Sequence, residues 1–302
     1  MDGMLNLVAL AALATAFCWG LSPLISANVS ARMGAISFVR WRMWVSFIVL
    51  VVIITLGNGW QGYGSDDLRW LMLSGFIGLF IGDTLLFASM NVIGPRRASI
   101  LYATNAAMAA GLAALLFGEV LTLVMVGAFA CVTVGVMLAI FFGKSRDNQH
   151  IWEMNRGMLS VGIGLGLLSA LAQAVGSLGA NPALLAGGDP MVAAAIRLGC
   201  AALCHSLFRH VRLAMTKCHV KLNLRDLGWV CLSSLNAMAL GMTLFMYALA
   251  NGDVGWVSVL SSTAPIMTLP MLWLIFRHSP PAGAWFGALL TVVGTAVILM
   301  KI

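Results

Sequence analysis

The chain has 302 residues, of which 61% are hydrophobic and 9% charged, with a formal net charge of +7. Ordinary soluble domains carry roughly a quarter charged residues, so no water-facing surface can be built from this composition. The basic residues stand singly, without an aromatic-interleaved stripe, which argues against a nucleic-acid partner and points to anionic lipid headgroups. Six cysteines lie mostly in apolar runs and form no CxxC pair, so neither a disulfide framework nor a metal site is indicated, and no cofactor is implied.

Apolar runs of about 20 residues recur from end to end, and each must be helical because an unpaired backbone amide in hydrocarbon costs several kcal/mol. Broken at polar and Gly/Pro clusters, they predict an all-α membrane protein of ten transmembrane helices. The spans are 5–26, 36–57, 70–92, 97–117, 121–142, 157–179, 190–208, 227–250, 255–276 and 283–300. Gly94-Pro95, Asn181-Pro182, Asp189-Pro190 and Pro280-Pro281 mark breaks. The first run is too long for a signal-peptide core and nothing basic precedes it, so it reads as a span.

In chain order, span 1 carries Trp19, and span 2 carries Arg40 near one end. Span 3 holds Asp83 near its middle, where a carboxylate must be protonated, paired or hydrated. Asp83 there is either a proton-coupling or binding group, or a structural partner that fixes helix packing beside Gly82. Span 4 adds Tyr102, Thr104 and Asn105. Glu119 follows at the turn into span 5, where a helix N-terminus favours negative charge. Gln173 and Ser177 lie in span 6. Arg197 lies near an end of span 7 and, like Arg40, either attracts an anionic solute or snorkels to headgroups. Asn236 lies in span 8, and Ser261, Ser262 and Thr263 in span 9; each of these neutral polar residues either lines a cavity or bonds helix to helix. Gly75, Gly78 and Gly82 in span 3, with Gly162, Gly164 and Gly166 in span 6, suit close packing rather than phosphate binding.

Twelve Lys and Arg residues fall in connections after odd-numbered spans, against two on the opposite side. Positive loops are retained in the cytoplasm, which puts both termini outside, in the periplasm of a bacterial inner-membrane protein.

Sliding the sequence by 159 residues aligns Asp67-Leu-Arg-Trp-Leu-Met-Leu-Ser74 with Asp226-Leu-Gly-Trp-Val-Cys-Leu-Ser233. Without a gap, Gly82 then falls on Gly241, Thr104 on Thr263, and Phe117 on Phe276; Arg40 meets Arg197 at a spacing of 157. The chain divides into a first five-helix repeat (1–143), a cytoplasmic linker (144–156) and a second five-helix repeat (157–302). An odd number of spans per repeat inserts the second copy upside down, the inverted arrangement of many secondary transporters.

Gly82-Asp-Thr-Leu-Leu-Phe87, Arg97-Ala-Ser-Ile-Leu101 and Leu116-Phe-Gly-Glu-Val-Leu-Thr122, followed by Gly127 and Gly135, resemble the EamA-like family of the drug/metabolite transporter superfamily. Trp19-Gly20 and Arg40 fit the same pattern. The resemblance implies ten helices around a cavity lined by spans 1, 3, 4, 6, 8 and 9, and export or exchange of amino acids, other metabolites or drugs. Two departures stand out: Arg277-His278 replaces Gly118-Glu119 in the second copy, and Ala106 stands where the second copy has Pro265. Glu119, Gly82, Gly241 and Pro265 are read as structural or gating positions.

The expected function is a secondary transporter with alternating access, not an enzyme, because no nucleophile, base and orienting group can be assembled. A non-transporting membrane scaffold or subunit is the alternative, with a membrane-embedded enzyme behind it. Without a GxxxxGK[ST] loop, ATP is not the direct energy source within the chain. The expected partners are a small-molecule solute, membrane lipid and, as a homodimer, a second copy of the chain.

Overall fold

The computed structural model describes residues 2–57, 59–60, 62–93, 95–118, 122–142, 158–208, 223–276 and 281–300, all of them helical or in the connections between helices. Glu119, the 144–156 linker, most of the basic stretch after span 7, and Arg277-His278 lie outside the described residues.

In the first half, α1 runs over Asp2–Met33, α2 over Ala35–Leu56, α3 over Ser65–Ser74, α4 over Gly82–Ile93, α5 over Pro95–Tyr102, α6 over Asn105–Phe117 and α7 over Leu123–Phe142. In the second, α8 runs over Leu159–Leu185, α9 over Pro190–Phe208, α10 over Leu224–Ser233, α11 over Gly241–Asn251, α12 over Val254–Ser261, α13 over Ala264–Phe276 and α14 over Ala282–Leu299. Among the described residues, eight helical stretches are long and apolar enough to cross a membrane. Ala282–Ile298 is apolar but shorter, and the expected ninth span is divided into α12 and α13. Apolar side chains such as Leu115, Leu123 and Leu289 project from the outer surface, as lipid-facing residues must. The chain is a multi-pass membrane protein.

Several expected boundaries move, among them the end of the first span, which continues to Met33 instead of stopping at Ser26. The third span starts at Ser65 rather than near residue 70, because Asp67 accepts the Gly64 N–H at 2.9 Å and caps the added turn. The sixth continues through Pro182 to Leu185 instead of breaking at Asn181-Pro182. Asp189-Pro190 does start a helix: the Asp189 carboxylate accepts from the N–H groups of Met191 and Val192, and Pro190 takes the first position, where no N–H is required.

The 159-residue repeat reappears in the backbone itself. The bounds of α3, α5 and α6 shifted by 159 are those of α10, α12 and α13. α3 passes into α4 through a π-helical stretch at Gly75–Ile81, and α10 into α11 through another at Ser234–Leu240, again 159 residues on. Both five-to-six helix breaks fall at the same place, Ala103-Thr104 and Ser262-Thr263.

α1 lies antiparallel to the α10–α11 stretch: Thr15 bonds the carbonyl of Gly241, Trp19 that of Ala237, Ser22 meets Ser233, and Arg32 pairs with Asp226. α8 lies antiparallel to the α3–α4 stretch in the same register. Ser169 donates to the Gly82 carbonyl, Ser74 to that of Gly176 and Ser89 to that of Gly162. Small residues permit this closeness. A Cβ on Gly176 would stand 2.5 Å from the Cα of Gly78, and one on Gly75 2.6 Å from the Arg197 carbonyl. Gly162 and Gly166 pack against Ile93 and Leu101, whereas Gly164 meets nothing within 4 Å. At the rim, α7 and α14 are antiparallel through Gly135, Gly287 and Gly294.

Two faces of the bundle follow. On face A the connection after α2 meets the one after α8, with the Tyr63 hydroxyl donating 2.9 Å to the Asp189 carbonyl. Face B holds the Arg32–Asp226 pair.

Candidate functional site

A cavity of about 350 Å³ lies between the middle of the bundle and face B, within the size range of small-molecule sites. Its lining comes from α1 (Trp19, Ser22), α2 (Arg42), α4 (Asp83, Phe87), α5 and α6 (Tyr102, Asn105), α8 (Gln173, Ser177), the α10–α11 stretch (Met238, Met242, Phe245) and α12 (Ser258, Ser261) with Ser262. All six spans implied by the family resemblance contribute, and α2 and, through Ile140, α7 are added to them.

Asp83 stands in the first turn of α4, directly after the π-helical stretch, deep in the molecule yet partly open to the cavity. The one extra residue in a π turn rotates everything beyond it, and such turns recur at functional sites. The charges of Asp83 and Arg42 act on each other. Arg42 donates to the Ser22 hydroxyl at 3.1 Å, and its guanidinium lies 5.2 Å from the centre of the Phe38 ring. Tyr102 lies in the fields of both Asp83 and Arg197. The remaining walls are largely apolar: Trp19 packs on Phe245 with ring centres 5.3 Å apart, and the Trp19 N–H is already committed to the Ala237 carbonyl at 3.0 Å.

Of the residues expected from sequence, Asp83, Trp19, Tyr102, Asn105, Gln173, Ser177, Ser261 and Ser262 line this one space. Thr104, Thr263, Asn236, Arg40 and Arg197 do not. Thr104 and Thr263 donate to the carbonyls of Leu101 and Leu260, at 2.6 and 2.7 Å, and so tie the equivalent helix breaks. Asn236 donates 2.6 Å to the Cys18 carbonyl and holds two helices together. Gly82 and Gly241 play matching structural parts, each offering its carbonyl to a hydroxyl of the neighbouring helix, from Ser169 and Thr15. Pro265 falls in the first turn of α13.

Snorkelling is excluded for both arginines, since Arg40 is 8% exposed and Arg197 0%. The pairing of Arg40 with Arg197 is also corrected, because the cavity guanidinium is Arg42. Arg42 and Arg197 each stand seven residues after the first residue of their helices, Ala35 and Pro190. Counting from helix starts, rather than matching residue types, was the signal that would have found it. Ser22, Phe87, Met238 and Ser258 were also missed, because nothing in an apolar helix's sequence says which face meets a void.

The equivalent segments α5 and α12 differ in burial. All eight residues of α12 are buried. In α5, among residues whose burial is described, Ala98 is buried while Arg97, Ser99, Ile100, Leu101 and Tyr102 retain exposure. Among the described residues, the segment on the face-A side is thus buried while its counterpart on the face-B side retains exposure.

No curated protein matches the chain significantly. One solved crystal structure has the same fold, with a TM-score of 0.79 at 17% identity over 97% of this chain and 96% of that one. The model of the EamA-like transporter family matches twice, at residues 6–141 and 160–300, coinciding with the two structural repeats. The chain belongs to the EamA-like transporter family, and is a membrane transporter of the drug/metabolite type.

Proposed function

We propose that the protein is a secondary carrier of ten spans, with α12–α13 and α14 completing the ninth and tenth. Its two five-helix repeats are inverted, and it moves a small metabolite, amino-acid-like solute or drug by alternating access. The observation that carries this reading is the contrast between α5 and α12, one sequence unit in two states of burial. In an inverted pair, exchanging those two states closes face B and opens face A without a new fold. The antiparallel register of α1 with α10–α11, repeated by α8 with α3–α4, supports the inversion.

Face B carries the connections rich in Lys and Arg, and we assign it to the cytoplasm, with both termini on the periplasmic side of the inner membrane. A cavity facing the cytoplasm loads solute from inside, which fits an exporter or exchanger. Asp83 is the candidate coupling group, because a carboxyl at membrane depth carries charge only when paired or hydrated, and Arg42 offers the pairing.

The test begins with cells that overproduce the protein, compared with cells lacking it, challenged with a panel of amino acids, metabolites and drugs. The solute to which resistance is gained is then placed inside proteoliposomes. A carrier accelerates entry of labelled external solute by counterflow, whereas a scaffold gives no acceleration over empty vesicles.

A further inference from the structure

Repeat equivalence explains an unsatisfied charge on the face-A side of the molecule. Asp83 shifted by 159 residues is Met242. The guanidinium that faces Asp83 in the first half is Arg42, and its counterpart by helix position is Arg197. Arg197 reaches Met242 where Arg42 lies in the field of a carboxylate. Its Nη1 has only sulfur acceptors among the described residues, Met246 at 3.2 Å and Met242 at 3.6 Å. Its Nε and Nη2 find no hydrogen-bond partner there, although the side chain is 0% exposed.

A thioether is a weak acceptor, so a buried guanidinium held by two of them is left with most of its desolvation uncompensated. The surroundings are built to hold this side chain. Gly75 brings the α3 backbone against that of Arg197, and a Cβ on Gly78 would stand 3.4 Å from Nη2 and 3.7 Å from Gln173 Oε1. Gln173, Tyr102 and Met242 lie close to Arg197, and all three are also cavity walls.

We propose that Arg197 is the anchor for a carboxylate on the transported solute, the ligand supplying the acid that the second repeat lacks. This rests on the alternating-access reading, since Arg197 becomes a cavity residue only when face A opens. The solute is then a monocarboxylate with an apolar body. Its acid pairs bidentately with Arg197, and its body lies against the Trp19, Phe245 and Met238 walls.

Sodium benzoate is a suitable probe, with sodium chloride at equal ionic strength, benzyl alcohol and benzylamine as comparisons, read by thermal melting of the purified full-length protein in detergent. Benzoate is expected to raise the melting temperature saturably by drawing the population toward the face-A-open state, and the other three to leave it unchanged. R197Q and M242D are each expected to weaken apparent benzoate affinity by about tenfold or more, the first by removing the guanidinium and the second by giving it an internal carboxylate. M242D should also melt higher than the parent without ligand, and M242L should bind benzoate as the parent does. Should R197Q fail to fold, M242D against M242L decides.

The inference is overturned by absence of a benzoate-specific shift, by an equal shift with chloride, which makes the site one for an inorganic anion, or by undiminished binding in M242D. Counterflow that persists without benzoate binding leaves the carrier standing and removes only the role of Arg197. Benzoate binding without counterflow of any solute removes the carrier instead.

Discussion

Asp83→Asn is expected to abolish concentrative transport while leaving the protein in the membrane. Asn is nearly isosteric, so the cavity keeps its shape, but Arg42 loses the negative charge of Asp83 that acts on it. Breaking a buried ion pair in contact costs about 3–5 kcal/mol. Asp83 and Arg42 interact through their fields without ion-pair contact, and Asp83 opens partly to the cavity, so the expected cost is about 2–3 kcal/mol. The same loss at the charge-carrying step slows it by roughly thirty- to 150-fold. A double variant, Asp83→Asn with Arg42→Met, should recover the melting temperature, because no uncompensated charge remains, but not solute accumulation. The measurements are thermal unfolding in detergent and accumulation against a gradient in proteoliposomes. Full accumulation by Asp83→Asn would reduce Asp83 to a packing role.

Gly176→Val is expected to be strongly destabilising. The crossing of α8 with the α3–α4 stretch leaves no room for a side chain, since even a Cβ would lie 2.5 Å from Gly78 Cα and 2.8 Å from its N. The neighbour is backbone, so nothing can rotate away, and the helices must separate. Overpacking usually costs about 1–3 kcal/mol, and a backbone clash on this scale puts Val at or above about 3 kcal/mol. Separation would also break the Ser74 bond to the Gly176 carbonyl and displace Gln173 and Ser177 from the cavity wall. Gly164→Val and Gly127→Val, where nothing lies within 4 Å, should change stability by no more than about 0.5 kcal/mol. If all three variants melt alike, the close crossing does not exist in the membrane.

Much of the architecture was legible because the bilayer leaves so few options for an apolar chain. Runs of about 20 apolar residues can only be helices, and the DLxWxxLS match fixed a spacing that the helix bounds then reproduced. Asp83 was legible for the same reason, as a charge where charges are expensive. The π-helical stretches were not. An inserted residue leaves no mark on a uniformly apolar segment, so neither the rotation of Asp83 nor its matched counterpart at Ser234–Leu240 could be foreseen. Arg42 was passed over for Arg40 two positions away, a shift of about 200° around a helix and hence a change of face. Thr104 and Thr263 match as equivalents, and of the two roles open to them, cavity lining or hydrogen bonding, each makes a backbone hydrogen bond. A threonine that bonds three residues back to a carbonyl secures a break, and sequence alone does not separate that from a free hydroxyl.

Ser99 and Ser258 occupy equivalent positions, 159 residues apart, on opposite halves of the same cavity. Each is to be replaced by cysteine in a chain whose native cysteines are changed to serine or alanine, and labelled with a membrane-impermeant thiol reagent applied to one side of oriented vesicles at a time. Inverted repeats that alternate predict that Ser99→Cys reacts only from the face-B side. Ser258→Cys, on a wall of the same cavity but only 5% exposed, should react slowly from that side and become reactive from the opposite side once solute turnover exposes face A. Labelling of Ser258→Cys from the face-B side alone, unchanged by solute turnover, would contradict an inverted pair that alternates around a shared pocket.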